Sequence, residues 1–212
     1  MTTLVIIAKE CLPGRVKTRL HPALSFEQAA EAAAASLADT FAALSELPAD
    51  RRILAFDGTV PPLGSEPYDV IPQATGDLDE RLAAVFDAAE GPTLLVGMDT
   101  PQLRAEHLAR FFPWAGGDDS DQADFVFGPA LDGGFWCLGM REPRGDLIRG
   151  VPMSRDDTGV QQLQRLCATG GDIRMLPPLL DVDTIVEAHA VAALAPETRF
   201  AQVLRSMVGV AA

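Results

Sequence analysis

The chain has 212 residues, of which 48% are hydrophobic and 22% charged, and its formal net charge is -13. This length and ordinary apolar content predict one folded domain over residues 1–212 and speak against a disordered chain. The acidic balance disfavours duplex nucleic acid and anionic membranes as partners, since both bind broad basic surfaces. The sequence also lacks a long apolar run, a signal-peptide pattern and a Cys-x-x-Cys pair, so we expect a cytoplasmic protein.

Short apolar runs alternate with helical patterns along the chain, which is typical of an α/β protein. The apolar runs predict strands, and the alanine-rich or amphipathic segments predict helices. In chain order we expect strand 4–8, helix 25–47, strands 53–56 and 68–71, helix 78–89, strand 93–97, helix 102–112, a loop over 114–122, strands 125–127 and 135–138, helix 159–167, strand 173–176, and helices 185–194 and 199–207.

The predicted strands have continuous apolar character, which favours a mostly parallel sheet with helices covering both faces. In open sheets of this kind, ligands bind beyond the carboxyl ends of the strands. The rule directs attention to the segments that follow Ala8, Gly97 and Phe127.

The segment after the first predicted strand concentrates positive charge. It contains both lysines of the chain, Lys9 and Lys17, together with Arg15 and Arg19, and Gly14 lies among them. Lysine offers phosphate a point charge, and arginine can bind two oxygens at once. The loop lacks the Gly-Lys-[Ser/Thr] pattern of a P-loop. Its density of cations favours a site for a small anion over a merely solvated basic loop.

Two further segments carry acids where chemistry is expected. Asp99 follows the strand 93–97, while Thr100 and Pro101 fit the N-cap and first position of a helix. Asp99 is therefore left free to coordinate a hard divalent cation. Asp181 and Asp183 lie two apart on an extended segment and so share one side, where they repel unless a cation or a base lies between them.

Asp132 lies in the glycine-rich stretch 128–136 between two aromatic strands. The stretch is compatible with a plain hairpin turn, and equally with a bare backbone that a ligand approaches closely. Capping-box patterns predict helix starts at Thr184, with Glu187, and at Asp77, with Glu80.

Three ordered motifs, Pro13–Leu20, Gly97–Leu103 and Gly128–Trp136, together resemble the rSAM/selenodomain-associated transferase family. That family belongs with the GT-A nucleotide-diphospho-sugar transferases. More distantly, Lys17–Leu20 and Asp181–Thr184 are similar to stretches of 2-phospho-lactate guanylyltransferase and of molybdenum-cofactor nucleotidyltransferases. GT-A glycosyltransferases usually carry Asp-x-Asp where this chain continues from Asp99 with threonine and proline.

The resemblance implies a Rossmann-like three-layer α/β/α domain of the GT-A type that uses a nucleotide and Mg²⁺ or Mn²⁺. It implies a phosphate loop over 9–19 and a metal held by Asp99 and Asp183. The expected nucleotide-binding residues are Ala8, Lys9, Gly14, Arg19, Gln73, Gly76 and Arg81, and the expected catalytic residues are Arg15, Lys17, Asp99 and Asp132.

Three functions remain open at this point. The first is nucleotidyl transfer, in which a small anionic acceptor attacks the α-phosphorus of a nucleoside triphosphate and expels pyrophosphate. The second is glycosyl transfer from a nucleotide-sugar, with Asp132 as a candidate base. The third is a catalytically silent nucleotide-binding module. The four clustered cations favour the first, and the nucleotide base, the acceptor and the oligomeric state stay undetermined.

Overall fold

The computed structural model describes residues 1–108, 111 and 123–209. The predicted loop 114–122 and most of the end of the predicted helix 102–112 lie outside the described residues.

The strands of the described part form one sheet in the order β3-β2-β1-β4-β6-β5-β7. Their bounds are β1 Thr3–Lys9, β2 Arg51–Asp57, β3 Asp69–Pro72, β4 Thr93–Val96, β5 Phe125–Pro129, β6 Phe135–Met140 and β7 Ile173–Met175. Strand β6 runs antiparallel to its neighbours β4 and β5, and the other pairs are parallel. The expected mostly parallel α/β sheet is confirmed.

Helices connect the strands on both sides of the sheet. Their bounds are α1 Phe26–Ser45, α2 Leu78–Ala88, α3 Ala105–Leu108, α4 Thr158–Cys167, α5 Ile185–Leu194 and α6 Arg199–Val208. Short 3₁₀ turns occupy Thr18–Leu20 and Gly145–Leu147. The longest helix, α1, begins at Ser25, which forms a capping box with Gln28 and so satisfies two main-chain N–H groups at the helix start.

Strand β1 shows why the central strands of the sheet have continuous apolar sequences. Leu4 and Ile6 are fully buried in a cluster that includes residues of α1, whereas Val5 is fully buried in a second cluster that includes residues of α2 and α4. Alternate side chains thus enter opposite layers, and a strand covered on both faces must be apolar throughout. A third cluster joins α1 to α5 and α6.

The structure corrects one predicted helix start and one predicted capping box. The helix expected from residue 102 begins at Ala105, and the segment before it is a turn closed by the Leu103 amide on the Thr100 carbonyl. The Thr100 hydroxyl is buried with no hydrogen-bond partner among the described residues, so it does not cap a helix. At α2, Asp77 occupies the N-cap position without a side-chain cap bond, and Glu80 instead accepts from Arg149.

Within residues 1–108 and 123–209, we find no helix with both the length and the apolar character that a membrane crossing requires.

Candidate active site

The candidate site lies where β1 and β4 end side by side. These two strands are parallel neighbours, so the chain leaves both at the same edge of the sheet. Met98 fixes the connection after β4: its carbonyl accepts a buried hydrogen bond of 2.7 Å from the Ser36 hydroxyl of α1. Its sulfur accepts a 3.3 Å bond from the Lys9 amide at the end of β1. Asp99 is therefore held next to the loop that follows β1.

The segment with the other two acids is attached to Asp99 by main-chain bonds. The buried Val182 donates its amide to the Asp99 carbonyl at 3.0 Å, and the Gln102 side chain donates to the Leu180 carbonyl at 2.7 Å. Because Val182 faces the core, Asp181 and Asp183 on either side of it face the opposite way, beside Asp99.

Glu187 stabilises the end of the acidic segment. Its carboxylate accepts the amides of Asp183 and Thr184 at 2.9 Å and 2.6 Å. The side-chain-to-amide contact expected from Glu187 at the start of α5 is thus confirmed. It also orients the backbone of Asp183, and this ties the helix start to the site.

Lys17 lies at the centre of these acids. Its ammonium nitrogen is 2.7 Å from Asp99 Oδ1 and 3.1 Å from Asp183 Oδ1, and its side chain is only 9% exposed. Arg19 reaches the other oxygen of Asp183 at 3.2 Å, with its side chain 73% exposed. Burial lowers the pKa of Lys17, but the charges and hydrogen bonds of Asp99 and Asp183 outweigh it and raise the pKa overall. Lys17 is therefore a permanent cation at neutral pH.

Asp181 is a third acid of the site, deeper than the other two. Its Oδ1 atom is buried and has no hydrogen-bond partner among the described residues. Burial raises the pKa of Asp181 to about 8, and the negative charges of Asp99 and Asp132 add to the shift. Sequence reasoning placed Asp181 beside Asp183 but assigned it no role. The signal was its two-residue spacing from Asp183.

The other two cations of the first loop have a different place. Lys9 and Arg15 are exposed, and neither forms an ion pair with a described acidic residue. Gly14, just before Arg15, has a φ of +74°, a conformation that glycine adopts without strain. The predicted phosphate loop thus divides into two paired cations, Lys17 and Arg19, and two cations available to a ligand.

The predicted base- and ribose-side residues form one hydrogen-bonded group at the ends of β1 and β2. The side-chain amide of Gln73 donates a hydrogen bond to the Ala8 carbonyl at 2.9 Å and another to the Ala55 carbonyl at 3.1 Å. Arg81 donates to the Gly76 carbonyl at 2.9 Å, and it approaches Gln73 at 3.5 Å. The structure therefore brings Ala8, Gln73, Gly76 and Arg81 together, although their roles in binding stay predictions.

Asp57 belongs to the same group and was missed from the sequence. Its carboxylate is 3.4 Å from Arg81 Nη1, and its main-chain carbonyl accepts a hydrogen bond from the Glu10 amide at 2.9 Å. Asp57 is the last residue of β2, and an acid at the carboxyl end of a strand next to β1 was the available signal.

Asp132 serves the turn between β5 and β6 and also contributes charge to the site. Its Oδ1 accepts the Gly134 amide at 2.9 Å, which confirms a hairpin turn. The same side chain is exposed and close enough to raise the pKa of Asp181 by repulsion, after burial and Asp99. The turn function and a place near the acids therefore coexist, and catalysis by Asp132 stays a prediction.

Gly133 fixes the position of this turn against the segment before α4. It has a φ of +95°, and a Cβ there would lie 1.9 Å from the Asp156 carbonyl oxygen. We expect Gly133→Ala to lower the free energy of unfolding by about 2 kcal/mol or more, because it adds backbone strain to a main-chain clash. Urea denaturation measures this. Gly170→Ala is the matched control, since Gly170 has a φ of +78° with open space around it. Equal losses in the two variants would contradict the contact.

The acids fit a divalent cation of the magnesium type, although in the described ranges no group of three or more His, Cys, Asp or Glu is assembled as a metal site. Asp99 and Asp183 each turn one oxygen toward Lys17. Asp181 Oδ1 is a buried oxygen nearby for which the described part of the chain offers no hydrogen-bond partner. Carboxylate oxygens are the ligands that Mg²⁺ and Mn²⁺ prefer. Asp99 and Asp183 are the residues that would hold the ion, with Asp181 as a further oxygen donor.

Fold and topology together define an α/β domain with a mostly parallel sheet, and a protein assigned to the nucleotide-diphospho-sugar transferases has a similar fold. Residues 29–155 match the family described as "Uncharacterized protein conserved in bacteria (DUF2064)", and the chain belongs to this family. The matched range includes Asp99 and Asp132, while Lys17 and Asp183 lie on either side of it. No curated protein matches the sequence.

The solved structures that are similar to this chain in fold include the following three. A Desulfovibrio desulfuricans G20 protein assigned to the nucleotide-diphospho-sugar transferases is 22% identical, with 97% of this chain and 94% of that chain covered and a TM-score of 0.82. CMP:2-keto-3-deoxy-manno-octonic acid synthetase complexed with CTP is 13% identical, with 92% and 98% covered and a TM-score of 0.57. The manganese complex of Rv0371c from Mycobacterium tuberculosis H37Rv is 19% identical, with 90% and 96% covered and a TM-score of 0.50.

Proposed function

We propose that this protein is a metal-dependent nucleotidyltransferase that moves a nucleoside monophosphate from a nucleoside triphosphate to a small anionic acceptor. The observation that carries the proposal is the position of Lys17, bound to Asp99 and Asp183 at the edge where β1 and β4 end. Two cations without described acidic partners, Lys9 and Arg15, lie on the same loop. The site therefore combines cations that can bind phosphates with carboxylates that can bind a divalent cation.

The charges of the site explain why a metal is needed. Lys17 and Arg19 face three carboxyl groups, those of Asp99, Asp181 and Asp183, and Asp132 adds a fourth close by. A triphosphate brings further negative charge into this surrounding, which is unfavourable unless a divalent ion offsets it. A bound Mg²⁺ or Mn²⁺ supplies that charge and polarises the phosphoryl oxygens.

Other residues of the site bind the phosphates, the base and the ribose of the nucleotide. Lys9 and Arg15 bind the outer phosphates from the exposed side of the loop, and Lys17 reaches them from the buried side. The group of Gln73 and Arg81 lies at the ends of β1 and β2 and binds the base and ribose. An oxygen of the acceptor attacks the α-phosphorus while the bond to the bridging oxygen breaks, and pyrophosphate leaves with the electron pair. The acceptor is already anionic, so no protein base is required.

The names of two fold relatives support this choice. One is a synthetase in complex with CTP, and another was solved with manganese. The sequence likeness to the rSAM/selenodomain-associated transferases, and a cytoplasmic location, are part of the same proposal. A nucleotide and a small acceptor are its partners.

Glycosyl transfer from a nucleotide-sugar is the second candidate. It is favoured by the exposed Asp132, which lies close enough to the acids to affect Asp181 and could take a proton from an acceptor hydroxyl. The assignment of the Desulfovibrio desulfuricans G20 protein points the same way. The hydrogen bond of Asp132 to its own turn weighs against it, because it occupies one carboxylate oxygen.

Product analysis separates the candidates. The protein is incubated with Mg²⁺ or Mn²⁺, with each nucleoside triphosphate or nucleotide-sugar, and with a set of small phosphorylated, carboxylated and hydroxylated acceptors. We expect acceptor-dependent release of pyrophosphate from a triphosphate. Release of a nucleoside diphosphate from a sugar nucleotide would replace the proposal by glycosyl transfer. Nucleotide binding without either product would indicate a silent nucleotide-binding module.

Asp99→Asn tests the metal assignment directly. We expect the variant to lose the enhancement of nucleotide binding by Mn²⁺, reducing it about tenfold or more, because a neutral amide is a poor ligand for a hard cation. Calorimetric titration of nucleotide with and without Mn²⁺ measures this effect. Asp69→Asn is the control, since Asp69 is an exposed acid paired with Arg51 away from the site. An unchanged response to Mn²⁺ in Asp99→Asn would leave Asp99 as a turn residue only.

A further inference from the structure

The ammonium group of Lys17 occupies a position that a metal would also need. It bridges one oxygen of Asp99 and one of Asp183, at 2.7 Å and 3.1 Å. A divalent cation held by the same two oxygens lies roughly 2.0–2.5 Å from each. A metal held by these oxygens would bring two more positive charges next to the ammonium group, which already contacts both of them. The ammonium group and the metal therefore compete for the same two carboxylate oxygens.

We propose that Lys17 is a stand-in for the divalent cation in the free protein, and that the ammonium group and the metal exchange places when the nucleotide binds. The inference rests on the proposed function and deepens it by assigning the regulation of the site. Lys17 keeps the affinity of the site for the metal low until a phosphate is present.

The exchange depends on the nucleotide because the displaced ammonium group needs a new partner. The side chain of Lys17 is 9% exposed, so leaving both acids without a new partner would strand a charge in a largely buried position. A phosphate oxygen of the nucleotide provides that partner, since lysine binds phosphate as a point charge. Metal and nucleotide therefore favour the same displaced state, and each must strengthen the binding of the other.

A comparison with Arg19 separates the effect of a cation located between Asp99 and Asp183 from the effect of positive charge near the site. It carries the same charge and contacts the same Asp183, but through the outer oxygen and with its side chain 73% exposed. Removing Arg19 therefore removes a nearby cation without freeing the position between Asp99 and Asp183. A general electrostatic effect predicts similar consequences for both residues, whereas exchange predicts a large effect of Lys17 alone.

The first experiment measures Mn²⁺ binding without nucleotide, from the signal of free Mn²⁺ in electron paramagnetic resonance. We expect Lys17→Gln to bind Mn²⁺ about tenfold more tightly than the wild type, because the competing ammonium is gone. Arg19→Gln should differ from the wild type by about threefold or less, as an exposed charge does. Equal or weaker binding by Lys17→Gln would overturn the exchange.

The second experiment uses the unmodified protein, so it does not depend on a variant that folds. The chain has two lysines, Lys9 and Lys17, so ¹⁵N-lysine labelling gives two ammonium signals, assigned with Lys9→Arg. We expect the Lys17 signal to be protected from solvent exchange without metal. Saturating Mg²⁺ should shift that signal and increase its exchange, while Lys9 stays unchanged. A Lys17 signal that is unaffected at saturating Mg²⁺ would show that both cations are bound together, against the proposal.

The outcomes distinguish the failure of this inference from that of the proposed function. If neither the wild type nor Lys17→Gln binds Mn²⁺, the metal site is absent, and both fail. If Lys17→Gln binds Mn²⁺ no better than the wild type while nucleotide and metal bind together, only the exchange fails. If Mn²⁺ binding strengthens in Lys17→Gln but the wild type binds no nucleotide, the competition between ammonium and metal is confirmed and nucleotidyl transfer is not.

Discussion

Lys17→Ala is expected to abolish the thermal stabilisation that a nucleoside triphosphate gives the protein with Mg²⁺. Stabilisation by a ligand follows its affinity for the folded state, so losing the buried cation that we propose to bind phosphate removes nearly all of it. The fold itself should survive. Asp99 and Asp183, the partners of Lys17, are 40% and 36% exposed, so water can solvate them once the ammonium is gone. We expect a rise of several degrees in the wild type and about none in the variant.

The measurement is the melting temperature with and without nucleotide, for the wild type and for two variants. Arg51→Ala is the control, because Arg51 is at the start of β2 and pairs with the exposed Asp69 away from the site. It changes the net charge equally and should keep the full nucleotide response. Undiminished stabilisation in Lys17→Ala would show that the loop after β1 is not the phosphate site.

The fold was predictable from the sequence because burial left a clear pattern. Strands such as β1 are covered on both faces, and their continuous apolar runs identified them. The start of α3 was not predictable, since Thr100 and Pro101 carry the residue types of a helix start. The chain there forms a turn closed by Leu103 and continues to Ala105 before the helix begins. Local residue types favour a start, but the main-chain path decides it.

Most members of the candidate site were predictable from the sequence, but Asp57, the role of Asp181 and the pairing of the charges were not. The strand-end rule placed the loop 9–19 and Asp99 at one edge, and the alternation of an extended segment placed Asp181 and Asp183 on one side. The spacing of Asp181 and Asp183 predicted repulsion unless a cation or a base lies between them. That Lys17 pairs with Asp183 together with Asp99 depends on the bond between Val182 and Asp99. Such a contact between distant parts of the chain leaves no local signal. The burial of Asp181 could not be predicted from the sequence for the same reason.

Asp181 connects the stability of the protein to pH, and Asp181→Asn is expected to remove that connection. The pKa of Asp181 is about 8 in the folded protein because burial opposes its charge, whereas an aspartate in the unfolded chain has a pKa of 3.8. Its contribution to stability is therefore fully present below about pH 4 and is lost as the pH rises through about 8. The loss amounts to as much as about 1.4 kcal/mol per pH unit, since only the unfolded chain gives up the proton in that window.

Urea unfolding at pH 5 and at pH 7.5, in EDTA, measures this slope. An asparagine at position 181 has no proton to lose, so the advantage of Asp181→Asn over the wild type should grow between the two pH values by about 2 kcal/mol or more. Asp50→Asn is the control, because hydrogen bonds from Thr2 lower the pKa of the exposed Asp50, so it titrates below pH 5 and the variant should keep the wild-type slope between the two pH values. An equal slope in the wild type and Asp181→Asn would mean that Asp181 is ionised in the folded protein. The site would then hold one more full negative charge.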